Sequence, residues 1–575
     1  MKFKMKKIFL CCIVFLVLLP VIASAATINA ASCSLADVQA ALGLASNGGG
    51  SVIVQLPMCN EIWAIPLNIN MLSGFTDVTS LTIQGAGAAP AKGSANQTVI
   101  DSAGFSITTK TNKKIRISNM KFTGAGTAKD SNFFVIMGNT RPSLGGGFRI
   151  DHISFNGGHA IQGYAGDCYG VIDHNTGGTK GQFAGWIWGT DHYLGGGNIA
   201  WSSPSTVGEA DNVFFEDNEF IQTDSIKKWM ICDGTNGARI VARYNVLTDY
   251  YIGGHDASSV DRSLFSYEAY GNIFYASWNY MAGPFGMRGG SGHFFNNQII
   301  AASDYPFYGN EISGIGLYNY RSYHPSLGSV PPWGTTCDNT PEKGCVNGNV
   351  FLSKTCNTDA DCEGVVGSCA QLDGNMDGTG YPCRDQWGRS TNQTLAPTLF
   401  WNNTLSKNGG SAKQTYPTIP TEMANYIQEG RDYCAHTTCT GTSCNYNCGS
   451  ISVSYNAYIY PHPLAVALFG TDICGEGAIA SSCWCQGMKS TGYCCHGYYQ
   501  ADGCDSGSVT PPPPPPSTVA GDLNSDGRVD ISDLVIVATN FGKSSGFDSR
   551  ANVVSSSPEI IDIADLSFVA RRFTG

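Results

Sequence analysis

The chain repeats a short unit whose clearest copy is Val213-Phe214-Phe215-Glu216-Asp217-Asn218-Glu219-Phe220. The unit has an apolar pair or triplet, two variable residues, Asn, one variable residue and a further apolar residue. From Asn218, the steps to Asn245, Asn272 and Asn297 are 27, 27 and 25 residues, a period that indicates stacked repeats. Further copies of the unit lie at residues 240–247, 267–274, 293–299 and 399–405.

A unit of this length cannot bury both faces of its strands, so we expect successive units to stack as coils. Each strand then pairs in parallel with its counterparts in the neighbouring coils. Asn suits the corner between two such strands because it tolerates left-handed backbone angles, and stacked amides can bond along the ladder. The pattern predicts an all-β parallel solenoid over residues 26–470. A β-sandwich, the alternative, would place strands about 8 to 12 residues apart without one Asn returning at a matching place.

Two segments near the N-terminus carry a family resemblance. They are Cys33-Ser34-Leu35-Ala36-Asp37-Val38-Gln39-Ala40-Ala41-Leu42 and Gly48-Gly49-Gly50-Ser51-Val52-Ile53-Val54. Together they resemble the capping helix and first strand of right-handed parallel β-helix proteins, the pectin-lyase-like superfamily. Residues 380–386 and 460–464 also resemble segments of secreted members. The resemblance covers roughly residues 30–470 and implies a groove on one sheet that binds polysaccharide.

The resemblance also implies how an enzyme of this kind would work, with carboxylates for hydrolysis or calcium plus a basic residue for β-elimination. In a lyase, Arg262 or Arg288 would abstract the proton. Asp256 and Glu268 would hold a metal or the substrate carboxylate. In a hydrolase, Asp256 and Asp261 would act as general acid and base. The densest polar group in adjacent repeats supplies these candidates and consists of Arg243, Asp249, His255, Asp256, Asp261, Arg262, Glu268 and Arg288.

Each of these residues has an ordinary structural alternative, which is a solvated loop or an ion pair between strands. Aromatic side chains nearby could stack on sugar rings or fill the core of the solenoid. They are Trp186, Trp188, Trp201, Trp229, Tyr250 and Tyr251. Two functional hypotheses follow. The first is a secreted polysaccharide lyase or glycoside hydrolase, and the second is a non-catalytic surface or adhesive protein that binds glycan.

The N-terminus has the three regions of a secretory signal peptide. Lysines within residues 1–7 precede an apolar stretch at 8–22, and Ala23-Ser24-Ala25 follows, so we expect cleavage after residue 25. A permanent membrane anchor is the alternative, but the apolar stretch is shorter than the roughly 20 residues that span a bilayer. No later stretch is long and apolar enough to span one. We therefore expect a secreted mature chain without a transmembrane segment.

The cysteines agree with export, because 20 of the 22 lie beyond residue 25 and an even number is expected to pair in an oxidising compartment. Zinc is the alternative, but the clusters lack paired Cys-x-x-Cys units with suitably spaced histidines. Between residues 331 and 396 the repeat lapses, which predicts a cysteine-rich insertion. Residues 471–508 are predicted to form a disulfide-rich appendix. The clusters span residues 337–383, 434–448 and 474–504, with Cys168 and Cys232 in the long stretch before them.

The composition of the chain excludes one class of binding partner and marks one domain boundary. A formal net charge of -11 with only 14% charged residues argues against nucleic acid as a partner. The 70 glycines and 11% aromatic residues are typical of a turn-rich β protein. Six consecutive prolines at 511–516 predict a stiff, extended linker over residues 509–520. The linker separates the large body from a tail, residues 521–575.

The tail contains the strongest motif of the chain, a 12-residue loop from Asp522 to Asp533. Calcium takes about six to eight oxygen ligands, which alternate positions of such a loop supply around a glycine turn. Gly527 stands at the turn. A solvated acidic turn is the alternative. The predicted calcium ligands are Asp522, Asn524, Asp526, the Arg528 carbonyl, Asp530 and Asp533.

A short helix is predicted after the loop, over residues 534–541, and a near copy of the unit follows at 563–573. A loop and helix duplicated in this way resemble a type I dockerin, which implies calcium and a cohesin-bearing scaffold as partner. The second copy departs from that pattern. Asp562 and Asp565 fit the last two ligand positions, but residues 552–558 lack the upstream acidic series, so a second calcium site is doubtful.

Overall fold

The structure is a computed structural model, and the chain divides into two compact units, residues 1–502 and 503–575. It describes residues 25–86, 98–101, 103–109, 112–123, 132–138, 140–156, 159–164, 168–178, 185–188, 198–221, 229–254, 262–276, 284–302, 343–347, 350–364, 367–371, 385–407, 409–417, 419, 427–466, 478–479, 493–495, 498–500, 523, 531–541, 543 and 551. Residues 1–24 of the predicted signal peptide and the whole predicted linker lie outside these residues.

Three long sheets build the first unit, and the coils from β2 to β25 pass through them in the order A, B, C. Sheet A consists of β1 (Ala26–Asn29), β2 (Gly50–Gln55), β5 (Val78–Gln84), β8 (Lys114–Ser118), β11 (Gly147–Asp151), β14 (Gly170–Asp173), β17 (Val213–Glu216), β20 (Arg239–Arg243), β23 (Ser266–Tyr270), β26 (Ser291–Phe295), β31 (Thr398–Trp401) and β34 (Tyr433–Cys434). Sheet B consists of β3 (Cys59–Ile62), β6 (Thr98–Asp101), β9 (Lys121–Thr123), β12 (Ser154–Asn156), β15 (Thr176–Gly178), β18 (Glu219–Ile221), β21 (Val246–Thr248), β24 (Ile273–Ala276), β27 (Gln298–Ala301), β32 (Thr404–Lys407) and β33 (Lys413–Gln414). Sheet C consists of β4 (Leu67–Asn70), β7 (Phe105–Thr109), β10 (Asn132–Gly138), β13 (His159–Tyr164), β16 (Gly185–Trp188), β19 (Trp229–Thr235), β22 (Tyr250–Gly254) and β25 (Phe285–Gly286).

The neighbouring strands of these sheets run parallel, apart from the last pair of sheet B. The predicted all-β parallel solenoid is therefore confirmed at this level, while the hand of the coils stays a prediction. Inward-facing side chains form one continuous apolar core between the three sheets. Like side chains stack from coil to coil there, as Phe105 does on Phe134 and Phe294 does on Phe400. This stacking is possible because the strand register repeats between coils.

The corner between sheets A and B carries the predicted asparagine ladder. Asn218 donates from its amide to Asn245 Oδ1 at 2.9 Å, and Asn245 and Asn272 each donate to the next ladder residue at the same distance. Each amide also donates to a strand carbonyl, as Asn245 does to Phe215 at 2.9 Å. The ladder is buried, and every rung both donates and accepts. It runs through Asn175, Asn218, Asn245, Asn272, Asn297 and Asn403.

Of the two predicted reasons for Asn at this corner, the amide bonds along the ladder are confirmed and the left-handed backbone angle is wrong. The left-handed backbone angle belongs to the residue before each ladder Asn, such as Asp217 with φ 56° and Tyr244 with φ 58°. The ladder Asn residues have no positive φ. Asn is needed at this position because its amide donates to one neighbouring coil and accepts from the other. The residue before it has the backbone conformation that forms the corner.

The N-terminal end of the solenoid has a helix, α1 (Leu35–Ser46), as predicted. The Ser34 side chain caps it by accepting a hydrogen bond from Asp37 N at 3.2 Å. A disulfide between Cys33 and Cys59 ties the start of the helix to sheet B. Strand β1, which precedes the helix and pairs with β2, was not predicted.

The smaller elements are antiparallel. β28 (Lys343–Asn347), β29 (Val350–Thr355) and β30 (Ser368–Gln371) form one sheet between β27 and β31, held by the Cys345–Cys362 and Cys356–Cys369 disulfides. β35 (Ser443–Cys448) pairs with β36 (Ile451–Asn456). Two further disulfides, Cys434–Cys448 and Cys439–Cys444, lie in that region, and Cys168 and Cys232 are free buried thiols. β37 (Ala478–Ile479), β38 (Tyr493–Cys495) and β39 (Tyr498–Gln500) form a third small sheet. Short helices are α2 (Asn198–Ser202) and α3 (Pro463–Val466), with 3-10 turns at Pro142–Leu144, Asp359–Cys362 and Thr391–Gln393.

In the second unit, the described residues form one helix, α4 (Ile531–Asn540). It confirms a helix after the predicted calcium loop, beginning three residues earlier than expected. Searched over its described residues, the chain contains no helix with the length and apolarity needed to cross a membrane.

Candidate functional site

The six predicted catalytic residues are only partly described. His255, Asp256 and Asp261 lie outside the described residues. Arg262, Glu268 and Arg288 are described, and each has a different environment.

Arg262 is engaged in an ion pair with Asp385. Its Nε lies 2.7 Å from Asp385 Oδ2, and its Nη2 lies 2.6 Å from Oδ1. The guanidinium also lies 5.0 Å from the ring of Trp201. Two parallel charge-assisted bonds fix the orientation of the side chain. Arg262 therefore joins the C-terminal part of the predicted insertion to the solenoid, and its role as a base stays a prediction.

Glu268 lies on the outer face of sheet A and is buried. Its Oε1 accepts a hydrogen bond from Gly208 N at 2.8 Å, and its Oε2 accepts one from the Tyr455 hydroxyl. Burial raises the pKa of Glu268 to about 7, although both hydrogen bonds and the charge of Arg243 act in the opposite direction. Glu268 and Arg262 have different partners, so these contacts do not bring the two side chains to one site.

The outer face of sheet A carries a buried ladder of ion pairs. Arg116 bonds Asp151, Arg149 bonds Asp173 at 2.7 Å, and the Arg243 Nη2 lies 2.6 Å from the Glu216 carboxylate. Arg149 also lies 3.4 Å from Asp151, which links the first two pairs. Three guanidiniums therefore face three carboxylates on successive strands, and the formal charges of these six groups cancel. The ladder consists of Arg116, Arg149, Asp151, Asp173, Glu216 and Arg243.

A C-terminal segment, residues 455–464, crosses this face and is called the strap below. Arg243 donates to the carbonyl oxygens of Tyr458 at 2.7 Å and Ile459 at 3.0 Å. The Tyr460 hydroxyl donates to both Asp217 oxygens at 2.9 Å, and His462 N donates to Glu216 at 2.9 Å. These contacts bury the polar groups of sheet A. A polymer could not reach them while the strap is in place.

Sheet C offers a different polar group on its outer face. A Cβ at Gly234 would lie 2.5 Å from Leu264 Cδ1 in the core, so Gly234 faces inward. Because side chains alternate along a strand, the preceding Asp233 faces outward. In the strand register, Asp233 pairs with Gly253, which pairs with Gly286 on the next coil. Beside this carboxylate, the two following coils therefore have no side chain.

Tyr251 and Arg288 complete this group. A Cβ at Gly286 would lie 2.9 Å from Tyr251 Cε2, so the tyrosine ring lies along the glycine of the next coil. Burial raises the pKa of the Tyr251 phenol, and the Asp233 charge raises it further, while Arg288 acts in the opposite direction. Tyr251 is therefore neutral at neutral pH and can donate a proton or a hydrogen bond. Tyr251 and Arg288 are both partly exposed.

The sheet C group, Asp233, Tyr251 and Arg288, joins three kinds of chemistry. A carboxylate can accept a proton, a neutral phenol can donate one, and a guanidinium can bind an anionic or hydroxyl-rich ligand. Arg288 was predicted as a catalytic residue, and Tyr251 was predicted only as an aromatic that could stack on sugar. Asp233 was missed. A polar residue at an outward position of a sheet C strand would have indicated it, but the sequence repeats do not mark the positions of sheet C.

The other aromatic candidates differ in position. Trp201 and Tyr250 are buried, as the core alternative expects. Trp186 pairs in register with Asp233, and Trp188 pairs with Thr235, so two tryptophan positions adjoin the sheet C group along β16. Trp229 pairs with Tyr250 in β19 and β22.

The predicted calcium loop is described at its C-terminal end. Helix α4 begins at Ile531, the tenth position of the loop, and therefore contains Asp533 in its first turn. Five of the predicted ligands lie outside the described residues, namely Asp522, Asn524, Asp526, Arg528 and Asp530. A helix that starts within the loop fits the donor pattern, because the closing acid of such loops stands at position 12.

No protein-family model, no curated protein and no solved structure matches the chain. Functional inference therefore depends on the geometry of the two sheet faces and on the motif in the tail.

Proposed function

We propose that the chain is an exported polysaccharide-binding or polysaccharide-degrading solenoid, and that its glycan site is the outer face of sheet C. The observation that carries the proposal is the sheet C group, in which Asp233, Tyr251 and Arg288 come from three consecutive coils. Tyr251 and Arg288 are partly exposed above the buried Asp233, whereas the polar groups of sheet A are buried under the strap. Residues 255 and 256 follow directly after β22 in sequence.

The chemistry of the group suits a sugar polymer. Arg288 would bind a carboxylate or hydroxyl groups of the polymer, and the Tyr251 ring would pack against a sugar ring. In a degrading enzyme, the neutral Tyr251 phenol would donate a proton to the leaving oxygen. The buried Asp233 would act through that phenol, because its charge raises the pKa of Tyr251. These roles make Tyr251 the residue whose hydroxyl separates catalysis from binding.

The test is an activity screen of the full-length protein on pectin, alginate and plant glycans, with product analysis. We expect Tyr251→Phe to abolish product formation and to keep glycan binding, and Arg288→Gln to weaken binding. The matched control is Arg431→Gln, which removes an arginine bound to Asp432 beside sheet A. Unchanged activity in the Tyr251 and Arg288 variants would contradict the placement of the site on sheet C.

A second candidate is a non-catalytic glycan-binding or adhesive protein. The observation that favours it is that Arg262 and Glu268, two of the predicted catalytic residues, are held by Asp385 and Tyr455. Tight binding of a glycan with no released product, in wild type and in Tyr251→Phe alike, would support this candidate over the enzyme.

For the tail, we propose a calcium-dependent docking module that attaches the solenoid to a cohesin-type scaffold. The start of α4 within the loop, with Asp533 in its first turn, supports this assignment. Calcium titration of the full-length protein by calorimetry is the test. We expect Asp522→Ala to remove the binding step and Asp565→Ala, in the incomplete second copy, to keep it. Absence of calcium uptake by the wild type would rule the module out.

A further inference from the structure

Two carboxyls and two histidines of the described residues are buried between sheet A and the strap without belonging to the ion-pair ladder. They are Asp217, Glu268, His293 and His462. Because the six charges of the ladder already balance, a charge on any of these four would be added to a closed, buried interface. Their protonation is therefore coupled to whether the strap is in place.

The two carboxyls are bonded by hydroxyl and amide groups. Asp217 accepts from Tyr460, and Glu268 accepts from Tyr455 and Gly208. Neither forms an ion pair with a guanidinium within the described part of the chain. Burial raises the pKa of each carboxyl to about 7. The charged and titratable groups that face Asp217 are His174, Glu216, Asp173 and Tyr460, and those that face Glu268 are Arg243, Tyr270 and Tyr455.

The two histidines are neutral. His462, in the strap, accepts from Leu464 N at 3.1 Å through Nδ1, and its Nε2 has no hydrogen-bond partner. The His293 ring lies 4.2 Å from the Tyr455 ring, and its Nδ1 has no partner. Burial lowers the pKa of both imidazoles to about 3. Other charges near His462 are Arg243, Asp173 and Arg149.

We propose that the strap is a pH-compensated closure, in which Asp217 and Glu268 favour its release as the pH rises while His293 and His462 favour its release as the pH falls. When the strap leaves sheet A, all four groups meet water. The carboxyls then ionise and the imidazoles protonate, and neither charge is available in the closed state.

The signs follow from the difference in bound protons between closed and released states. The pKa of each carboxyl is about 7 in the closed state and 3.8 (Asp) or 4.5 (Glu) ordinarily. The carboxyl therefore stabilises closure fully below its ordinary pKa, and this stabilisation is lost as the pH rises through 7. For an imidazole with a pKa lowered to about 3, closure strengthens as the pH rises from 3 to the ordinary 6.5. Each group changes the release equilibrium by about tenfold per pH unit, so two acids and two histidines cancel between about pH 4.5 and 6.5.

Hydrogen exchange of the full-length protein tests the proposal. Protection of amides in residues 451–466, corrected for intrinsic exchange, is compared at pH 5 and pH 6.5. We expect little change in the wild type. In Asp217→Asn with Glu268→Gln, the histidines remain and protection should rise by at least about tenfold with pH. In His293→Asn with His462→Asn, the acids remain and protection should fall by at least about tenfold.

The control is Glu429→Gln with His436→Asn, an exposed acid and histidine pair of the same C-terminal region, which should keep the wild-type profile. His174 faces Asp217, and each charge shifts the pKa of the other group, so its contribution cancels only in the histidine double variant, which keeps Asp217. The two double variants are independent tests. If one of them does not fold, the other still tests the proposal, because its protection should change with pH in the stated direction. A flat profile in a folded double variant, or equal slopes in both, would overturn the proposal.

Discussion

Two polar ladders run along the same solenoid and are built by opposite rules. In the corner ladder every rung is Asn, and each amide both donates and accepts, so one residue type serves the coils from Asn175 to Asn403. In the ion ladder on sheet A each coil needs a partner of opposite sign, as Arg243 needs Glu216. A neutral ladder can grow by repetition of one sequence unit. In the charged ladder the signs do not alternate from strand to strand, since Asp173 and Glu216 are neighbours in register, and each carboxylate instead needs its own guanidinium. Arg243 and Glu216 also bond the strap.

The largest expected effect comes from breaking the charged ladder. Arg243→Met leaves the Glu216 carboxylate buried without a guanidinium and removes the bonds to Tyr458 and Ile459. Breaking a buried ion pair by removing one partner costs about 3–5 kcal/mol. The free energy of unfolding from urea titration should fall by that amount.

The matched control is Arg431→Met. Arg431 also bonds an aspartate, Asp432, but about a third of its side chain is exposed. We expect a loss of at most about 1 kcal/mol, because solvent screens such pairs. Equal losses in the free energy of unfolding would show that the buried ion pair is no more important to stability than the partly exposed one.

The amide ladder gives the next largest effect. Asn245→Ala leaves buried partners unsatisfied on both sides, at Asn218 and at Asn272, together with the Phe215 carbonyl. We expect a loss of about 2–3 kcal/mol, since each buried group left without a partner costs about 1–3 kcal/mol. Asn68→Ala on the exposed side of β4 is the control and should change stability by less than about 0.5 kcal/mol. Urea titration of both variants at neutral pH is the measurement.

The amide ladder could be predicted from sequence because its residues recur at nearly constant spacing. The ion ladder could not. Arg243 and the strap carbonyls that it bonds are separated by 215 and 216 residues, and no period relates them. Asp151 and Asp173 come from early coils in which the repeat is weak. Only the fold brings these charges to one face.

Lowering the pH should destabilise the ion ladder and leave the contribution of the asparagine ladder to stability unchanged. Burial acts to raise the pKa of Asp173, but the adjoining Arg149 charge and hydrogen bonds outweigh it and lower this pKa to about 2. A lowered pKa gives stability that is present above the ordinary value of 3.8 and is lost as the pH falls through 2. The stability that Asp173 contributes should therefore fall by about 2 kcal/mol between pH 4 and pH 2.

The variant Asp173→Asn checks this effect. It should be less stable than the wild type at pH 4, and its further loss on going to pH 2 should be smaller by about 2 kcal/mol. Asn245→Ala, in the uncharged ladder, should lose as much as the wild type over the same interval. If Asp173→Asn lost as much stability as the wild type between pH 4 and pH 2, a group other than Asp173 would have the lowered pKa.

The smallest effect is expected in the strap. Tyr460→Phe removes the hydroxyl that donates to Asp217 and keeps the ring, which packs 4.2 Å from Tyr244. A single hydrogen bond contributes about 1 kcal/mol. The free energy of unfolding, measured at pH 6, should therefore fall by about that amount. Tyr416→Phe, whose hydroxyl bonds the exposed Gln414, is the control with an expected shift near zero. Equal shifts would contradict a sealed strap.

The candidate site was predicted in part for a physical reason. Arg288 could be chosen because it lies beside repeats with many polar residues, but Asp233 stands in Ile231-Cys232-Asp233-Gly234-Thr235, which has no such neighbours. Its outward orientation depends on the register shift between Met230 and Cys232. Glu268 fits the same polar pattern as Arg288, yet it faces the strap. Sequence gives residue types, and the strand register decides which face each one occupies.

The most direct test of the glycan site is radical footprinting of Tyr251 in the full-length protein, with and without a glycan that binds. Tyr251 is partly exposed on sheet C, and Tyr416 is partly exposed elsewhere. The proposed site predicts that bound glycan lowers labelling of Tyr251 and leaves labelling of Tyr416 unchanged. A glycan that binds tightly while Tyr251 is labelled as in the free protein would contradict it.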